Sequence, residues 1–330
     1  MTKNMSIGDI ENDSLEETSG KNSNPGHGHD GGSPAKAILY AFIANGCIAI
    51  AKLIAAIYTS SGSMMAESIH SFADCGNQVL LFVGLKGAER PADKDHPLGY
   101  GKLSYFWSFI VALMLFSVGG VYSVYEGWHK LTSTTELSDV WVALLVLGGA
   151  ILIEGWSLMG AIREANLMRG NRGFLLWLRN TRNAEIVVVL GEDLAAIFGL
   201  VLAFGFLTLA FFTGNPIYDA YGSICIGIVL IAVAIFVAFR IQSLLIGKSA
   251  EPQLQKLIEE LIEADEHIDQ LLNTITMQFG PRVMLAAKIK MNNSITLGEA
   301  VAHINTLEKQ IKAAFPEVSW CFIEPDDTDD

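Results

Sequence analysis

Residues 64–85 read MMAESIHSFADCGNQVLLFVGL, an apolar run that is long enough to cross a bilayer and yet contains His70 and Asp74. On a helix, a spacing of four residues places both side chains on one face, one turn apart. Two ionisable groups inside hydrocarbon are costly, and by default they mark an ion path. Imidazole and carboxylate together suit a divalent transition metal, with zinc first among them. The stretch therefore predicts a membrane helix that handles a metal ion.

The composition places the whole chain in the same class. Of its 330 residues, 51% are apolar and only 17% are charged, which is too apolar for an ordinary soluble domain. The acids concentrate near the two ends of the chain, so the net charge of −13 describes those ends and argues against nucleic-acid binding. The four cysteines form no C-x-x-C pair and are expected to be reduced thiols.

Several further runs have the length and apolar character of a membrane span. Together with the opening stretch, the predicted spans cover residues 35–58, 64–85, 103–125, 140–162, 186–212 and 218–241. The connection between the first two spans is very short and uncharged, so these spans are expected to form a tight hairpin. We therefore expect an α-helical membrane protein with six transmembrane helices.

Basic residues decide the expected orientation, because they concentrate on the cytoplasmic side of a membrane. They cluster between spans two and three, between spans four and five, and around the end of span six: Lys86, Arg90, Lys94, Lys102, Arg163, Arg169, Arg172, Arg179, Arg182, Arg240 and Lys248. The opposite connections carry Lys130 as their one Lys or Arg. Both termini are therefore expected in the cytoplasm. The acidic N-terminus resembles neither a signal peptide nor an Arg-rich mitochondrial presequence, which favours a cell inner membrane over an organelle membrane.

The end of the chain reads as a soluble domain of about 80 residues, a size that favours pairing with a second copy. Its hydrophobic periodicity predicts the order helix–strand–strand–helix–strand, which is typical of a small α+β domain of the ferredoxin-like type. These elements are predicted over 253–264, 274–279, 283–291, 297–315 and 318–323. The predicted organisation is a disordered acidic tail (1–34), a six-helix transport domain (35–245) and a cytoplasmic ferredoxin-like dimerisation domain (246–330).

A second acidic group lies in span five, where Gly191, Glu192 and Asp193 interrupt an apolar stretch. Spans two and five run in opposite directions and place Asp74 and Asp193 at similar depths. Packed together, these helices would offer His70, Asp74 and Asp193 to one ion. Glu192 is about 100° from Asp193 around an ideal helix. Three roles therefore stay open for it: a metal ligand, a helix–helix hydrogen bond or a proton site.

Further ionisable residues lie in the apolar runs. Glu67 shares a broad face of span two with His70 and Asp74, Lys52 lies in span one, and Glu154 lies in span four. Lys52 is either a counter-charge for an acid or a side chain that extends its ammonium toward the interface. Glu154 is expected to be a structural partner for a basic or hydroxyl group. A lone His in a span can likewise be an interhelical hydrogen-bonder, so the metal hypothesis for His70 depends on its acidic neighbours.

Two motifs resemble those of the cation diffusion facilitator family of divalent-metal/proton antiporters. Residues 61–74, SGSMMAESIHSFAD, resemble that family's second helix, and residues 91–102, PADKDHPLGYGK, resemble its loop into helix three. The Asn77-Gln78 pair and the run LGEDLAA at 190–196 further resemble the branch that contains the type 9 zinc transporter. The resemblance covers nearly everything after the first 34 residues.

The resemblance implies a homodimer that exchanges a divalent cation for protons by alternating access. It assigns His70 and Asp74 to the ligand pair of helix two and Asp193 to the second ligand position of helix five. The first position of helix five is Val189, which cannot bind a metal. Either Glu192 or a water then completes the shell, and the larger share of oxygen would admit manganese, cobalt or iron beside zinc.

Two accessory sites of the family can be compared in the same way. In the loop site, Asp93 and His96 match, but Tyr100 stands where a second His is expected. The resemblance thus implies a weak accessory site there, or a His96 that only braces the loop. The C-terminal domain contains only His267 and His303, and it is interpreted as a dimerisation element without a strong metal cluster.

The expected function is proton-coupled efflux of Zn²⁺, with Mn²⁺, Co²⁺ or Fe²⁺ as alternative substrates. Protons are the counter-ion, and His70 is the expected proton exchanger because the ordinary pKa of imidazole is about 6.5. The alternative from another class is a membrane metal sensor that binds ions without moving them. The chain contains no H-E-x-x-H motif, so an intramembrane enzyme is not expected.

Overall fold

The computed structural model describes residues 34–132, 137–292 and 296–329. Of the predicted acidic tail, all but Pro34 lies outside these residues. Within the described part, helices α1 to α8 precede a small region of mixed helix and strand. Their bounds are α1 Pro34–Thr59, α2 Gly62–Ala88, α3 Leu103–Met114, α4 Tyr122–Thr132, α5 Val140–Arg169, α6 Phe174–Asn180, α7 Ala184–Thr213 and α8 Ile217–Ile246.

Four helices in the described part are long and apolar enough to cross a membrane, which makes this a helical membrane protein. They are Leu103–Thr132, which includes α3 and α4, and the helices α5, α7 and α8. Helix α2 has 27 residues, but its polar side chains lower its hydropathy below that of these four. The apolar segment Asn45–Thr59 of α1 is shorter. The short helix α6 was not predicted.

A π-helical segment, Leu115–Val121, joins α3 to α4. Such segments are rare, and they occur frequently at functional sites. Here the segment passes beside the predicted metal helix, since a Cβ added at Gly119 would lie 3.7 Å from Nδ1 of His70. It also packs tightly against α8, because a Cβ added at Gly227 would lie 2.7 Å from the carbonyl oxygen of Gly120. Small residues allow this close approach of two helices.

The turn between α1 and α2 is the tight hairpin that the sequence predicts. Ser60 has a left-handed φ of 55°, and the Ser61 hydroxyl accepts a hydrogen bond from the Met64 amide at 3.1 Å. The buried carboxylate of Asp219, in the first turn of α8, holds this turn. It accepts hydrogen bonds from the Ser61 hydroxyl at 2.7 Å and the Gly62 amide at 2.6 Å. The start of α2 is thereby fixed to the start of α8.

The C-terminal region is a small α+β unit with the predicted order of elements. Two helices pack on one side of a three-stranded sheet in which β1 pairs antiparallel with β2, and β2 pairs parallel with β3. The elements are α9 Pro252–Glu263, β1 Ile268–Phe279, β2 Arg282–Met291, α10 Leu297–Ala314 and β3 Val318–Pro325. Alternate residues of β2, from Val283 to Ile289, are buried and form the core with Ile258, Ile262, Leu307 and Ile311.

Strand β1 begins earlier than predicted, at Ile268 instead of residue 274. The reason is local, because the pairing with β2 shifts register between Ile268 and Gln270 and again between Leu271 and Asn273. Each irregularity breaks the two-residue alternation by which a strand is recognised in a sequence.

Close backbone contacts join the C-terminal region to the membrane helices. The Tyr105 hydroxyl donates to the carbonyl oxygen of Gly280 at 3.2 Å, in the turn between β1 and β2. A Cβ added at Gly280 would lie 2.6 Å from the carbonyl oxygen of Gly101, so these two glycines permit the contact. Beside it, the Lys102 ammonium lies 4.8 Å from the centre of the Phe279 ring. Arg172 and Glu251 form an ion pair at 2.7 Å.

Candidate metal centre

Helix α2 buries the His70 and Asp74 pair in the interior of the bundle. His70 is 0% exposed, and its Nε2 lies 3.5 Å from Oδ2 of Asp74, as the spacing of four residues predicts. Within the described part of the chain, neither ring nitrogen of His70 nor Oδ1 of Asp74 has a hydrogen-bond partner. Buried polar atoms are normally hydrogen-bonded. The pair therefore has donor and acceptor capacity that the protein itself leaves unused.

A cavity of about 70 Å³ lies next to Asp74, between α2, α5 and α7. Its wall includes the carboxylates of Asp74, Glu154, Glu192 and Asp193. The structure therefore brings Asp74 and Asp193 to one space, as the depth argument predicts. Val189 also lines this space, so the position without a donor lies on the cavity wall. His70 is behind Asp74 and is not part of the wall.

The carboxylates around the cavity are not gathered into a finished coordination sphere. In the segments that the structure describes, no three side chains of His, Cys, Asp or Glu are arranged to hold a metal ion. His70, Asp74 and Asp193 would have to move closer together to bind one ion. The candidate ligands therefore lie near one another, but they are not in the geometry of a bound metal ion.

Glu192 makes one of the contacts that the sequence left open. The Asn77 side-chain amide donates to Oε1 of Glu192 at 2.6 Å, and both residues are buried. This hydrogen bond links α2 to α7. Because Glu192 also lines the cavity, the same side chain joins the two helices and borders the space that Asp74 and Asp193 share.

Lys52 is a buried counter-charge and does not extend toward the interface. It is 0% exposed, and its ammonium lies 3.5 Å from Oε2 of Glu67 and 3.7 Å from Oε1 of Glu154. It also donates to the Ser71 hydroxyl at 2.7 Å. These contacts tie α1, α2 and α5 together. Glu154 is thus the partner of a basic group, as expected, whereas the role of Glu67 was not predicted.

Glu67 also lies against α7. A Cβ added at Gly199 would overlap Oε1 of Glu67. The glycine therefore makes room for the carboxylate, and small residues on α7 do allow close approach to α2. The sequence does not predict this contact, because nothing local connects Gly199 with a residue on another helix.

The loop between α2 and α3 folds around Asp93. Oδ1 of Asp93 accepts from the amides of Asp95 and His96, and Oδ2 accepts from the Tyr100 hydroxyl at 2.6 Å. These hydrogen bonds, that of Tyr100 foremost, lower the pKa of Asp93. The His96 ring packs against Tyr100 with centroids 4.2 Å apart and a tilt of 35°, and its Nδ1 lies 3.5 Å from Oδ1 of Asp93. The structure therefore places Asp93 and His96 together, with Tyr100 bound where the second His is expected.

The two histidines of the C-terminal region also come together. The rings of His267 and His303 stack with centroids 3.6 Å apart, and Nδ1 of His267 lies 3.2 Å from Oδ1 of Asp265. The sequence contains no signal for this contact, because His303 is on α10 and His267 precedes β1.

Comparison with known proteins agrees with this architecture. The family profile described as the cation efflux transmembrane domain matches residues 38–246, which is more than half of the chain. The chain therefore belongs to the cation efflux family. It is a multi-pass membrane protein of a transporter family and not an enzyme, and the resemblance seen in the sequence is confirmed.

Individual relatives extend this comparison. The chain is 32% identical to the mitochondrial proton-coupled zinc antiporter SLC30A9 of Xenopus laevis, over 84% of this chain and 49% of that protein. It is 35% identical to metal tolerance protein C4 of Arabidopsis thaliana, over 68% of this chain and 49% of that protein. It is 22% identical to the manganese efflux system protein MneP of Bacillus subtilis, over 87% of this chain and 94% of that protein. The chain thus spans about half the length of the first two relatives.

Proposed function

We propose that this chain exports a divalent transition metal, with zinc as the main substrate, in exchange for protons by alternating access. The observation that carries the proposal is the cavity between α2 and α7, where Asp74 and Asp193 meet beside the buried His70. Membership of the cation efflux family supports this direction, as do relatives named for zinc and for manganese.

Metal and protons compete for the same side chains in this proposal. A bound metal requires neutral imidazole and ionised carboxylates, so metal binding at His70, Asp74 and Asp193 releases protons. When the cavity opens to the other side of the membrane, protons bind to the ligands again and the metal dissociates. His70 is suited to this exchange because the ordinary pKa of imidazole, about 6.5, lies in the working range.

The fourth ligand is the part of the site that sets metal preference. Val189 offers no donor, and Glu192 becomes a ligand only if its carboxylate keeps a free oxygen while Asn77 holds the other. A site with one nitrogen and several oxygens is less selective for zinc than a site with two histidines. Manganese, cobalt and iron are therefore the alternative substrates.

The proposal includes a membrane arrangement. We propose that α1 and α2 cross the membrane together with the four long apolar helices, which gives six spans in a transport domain over 35–245. The proposed location is the inner membrane of a cell, with both termini in the cytoplasm. The basic connections before α3 and before α7 contact the end of α8 and the residues directly after it, through Lys102 and Arg182, which supports a common cytoplasmic side. The C-terminal region, 246–330, is proposed as a ferredoxin-like dimerisation domain.

The open face of the sheet offers a surface for a second copy. Ile275 of β1, Ala286 of β2 and Phe322 of β3 are register partners across the sheet. Ile275 is 56% and Phe322 is 58% exposed. Ion pairs of Lys288 with Asp326 and of Lys290 with Asp327 flank this apolar row. An apolar centre with a polar rim is typical of protein–protein interfaces.

The loop at Asp93 and His96 is proposed as a weak accessory metal site at most. Both oxygens of Asp93 already accept hydrogen bonds within the loop. A metal ion would have to displace the Tyr100 hydroxyl or share an oxygen with two backbone amides.

Flux in reconstituted vesicles tests the transport proposal. The full chain is placed in proteoliposomes that contain a pH-sensitive dye, and zinc is added outside. We expect Asp74→Ala and Asp193→Ala to abolish zinc-dependent proton movement while the protein stays folded. Asp269→Ala, on the exposed side of β1, is the control and should transport normally. Robust transport by either site variant would refute the assignment of the site.

The same assay separates transport from sensing. The unfinished coordination sphere is what favours a metal sensor as the second candidate. A sensor would bind zinc in solution but would show no proton movement in vesicles of the unmodified protein, and this result would replace the transport proposal.

A further inference from the structure

We propose that Glu154, held in place by Lys52, is a further metal ligand and supplies the donor that Val189 does not. The inference rests on the proposed transport function. It adds a carboxylate from a third helix, α5, to the ligands of α2 and α7.

Glu154 is on the wall of the cavity together with Asp74, Asp193 and Val189. Lys52 binds two carboxylates, and they differ in position. The side chain of Glu67 is 0% exposed and does not line the cavity, whereas that of Glu154 is 20% exposed and does. Of the two acids, Glu154 is therefore the one that an ion in the cavity can reach.

Lys52 positions the Glu154 carboxylate and leaves it accessible from the cavity. The ammonium lies 3.7 Å from Oε1 of Glu154, a distance longer than a hydrogen bond. Its nearest contact is the Ser71 hydroxyl at 2.7 Å, and Ser71 also lines the cavity. The ammonium thus lies directly behind the wall. It offsets the charge of Glu154 and leaves the carboxylate able to turn toward a cation.

A second observation also points to a ligand in the cavity. Oδ1 of Asp74, a residue of the cavity wall, lacks a hydrogen-bond partner in the described part of the chain, and so do both ring nitrogens of His70 behind it. The cavity volume of about 70 Å³ is enough for an ion and one or two waters, since a water occupies about 30 Å³ in the liquid. A carboxylate that enters the shell would replace one of these waters.

The ligand chemistry gives the expected direction of the effect. Oxygen donors suit manganese, whereas zinc also accepts nitrogen and a small number of ligands. Loss of the Glu154 charge should therefore weaken manganese binding more than zinc binding. Even partners that only orient a ligand are worth about 10- to 100-fold in metal affinity.

Calorimetric titration of the purified full chain with zinc and with manganese tests the inference. We expect Glu154→Gln to weaken zinc binding about tenfold and manganese binding by more. Glu164→Gln is the matched control, because Glu164 is exposed on the same helix, and it should bind both metals normally. If Glu154→Gln binds both metals as the unmodified chain does while Asp74→Ala has lost binding, this inference is overturned and the transport site stands. If Asp74→Ala also binds normally, the proposed site itself fails.

Variants of Lys52 test the positioning role. Lys52→Met should shift the zinc-to-manganese affinity ratio in the same direction as Glu154→Gln, and Lys52→Arg should restore it. The double variant Lys52→Met with Glu154→Gln should shift the ratio no further, because both changes remove one coupled unit. Additive effects would refute the coupling. If Glu154→Gln aggregates, Glu154→Asp replaces it, and an unchanged affinity ratio there would also overturn the inference.

Discussion

At the residue scale, the buried carboxylate of Glu67 depends on a glycine of the neighbouring helix. Glu67 lies on α2, pairs with Lys52 at 3.5 Å and fills the space beside Gly199 of α7. A single added methyl group at position 199 overlaps Oε1 of Glu67. Because Glu67 is 0% exposed, its carboxylate has no free space into which it could move. The glycine is therefore needed for the ion pair and not only for helix approach.

We predict that Gly199→Ala destabilises the protein and impairs transport. Overpacking a buried site costs about 1–3 kcal/mol, and here it also displaces a carboxylate from its ammonium partner. The apparent melting temperature of the purified protein should fall, and zinc-dependent proton flux should drop about tenfold.

Gly205→Ala provides the control on the same helix. Nothing lies within 4 Å of a Cβ added at Gly205, and alanine is favoured over glycine in a helix by about 1 kcal/mol. This variant should be as stable as the unmodified protein or slightly more so. Equal melting temperatures for the two variants would show that Glu67 moves aside without cost.

The sequence identifies some residues of the centre better than others. His70, Asp74 and Asp193 can be found because an ionisable side chain in an apolar run is anomalous by itself. The pairing of Lys52 with Glu67 and Glu154 cannot be found in this way, since the partners are on three helices and the sequence contains several other acids. The packing of α1, α2 and α5 determines which acids lie beside Lys52.

At the element scale, the placement of α2 depends on Asp219. This carboxylate is 1% exposed and accepts hydrogen bonds from the Ser61 hydroxyl and from the Gly62 and Ser63 amides. Free amides at a helix N-terminus carry partial positive charge, so a carboxylate there is stabilising. Because α2 carries His70 and Asp74, an anchor at its first turn also fixes the position of these two proposed metal ligands.

We predict that Asp219→Ala costs about 3 kcal/mol, because hydrogen bonds to a charged group contribute about 1.5–3 kcal/mol and buried donors lose their partner. Ser61→Ala should cost only about 1 kcal/mol, as is usual for an N-cap residue. Thermal unfolding of the two variants in detergent measures the difference. An Asp219→Ala protein no less stable than Ser61→Ala would contradict the anchor.

The elements themselves follow the sequence where their periodicity is regular. Strand β2 alternates without interruption and is predicted within one residue of its start, whereas the irregular first part of β1 is not recognised. The π segment Leu115–Val121 carries no composition signal. It contains Gly120, which lies in close contact with Gly227 of α8, a contact between helices that are distant in sequence.

At the scale of the whole molecule, the sequence predicts a membrane bundle and a small α+β region but not the way they are joined. The join includes the close backbone contact between Gly101 and Gly280 and the hydrogen bond from Tyr105 to Gly280, beside the ion pair of Arg172 with Glu251. Backbone contacts depend little on side-chain type, so the composition of the chain does not reveal them. They place the loop that precedes α3 directly on the turn between β1 and β2.

In the proposed dimer, the two copies associate through the open sheet face of the C-terminal region. Because Ile275 and Phe322 lie in one exposed row, a charge at either position would have to be buried without a partner in a dimer. We predict that Phe322→Lys converts a dimer to a monomer, as measured by light scattering of the protein in detergent. Val301→Lys, at an exposed apolar position of α10 instead of the sheet, should leave the mass unchanged. A dimer that survives Phe322→Lys but dissociates with Val301→Lys would move the interface to the helical side.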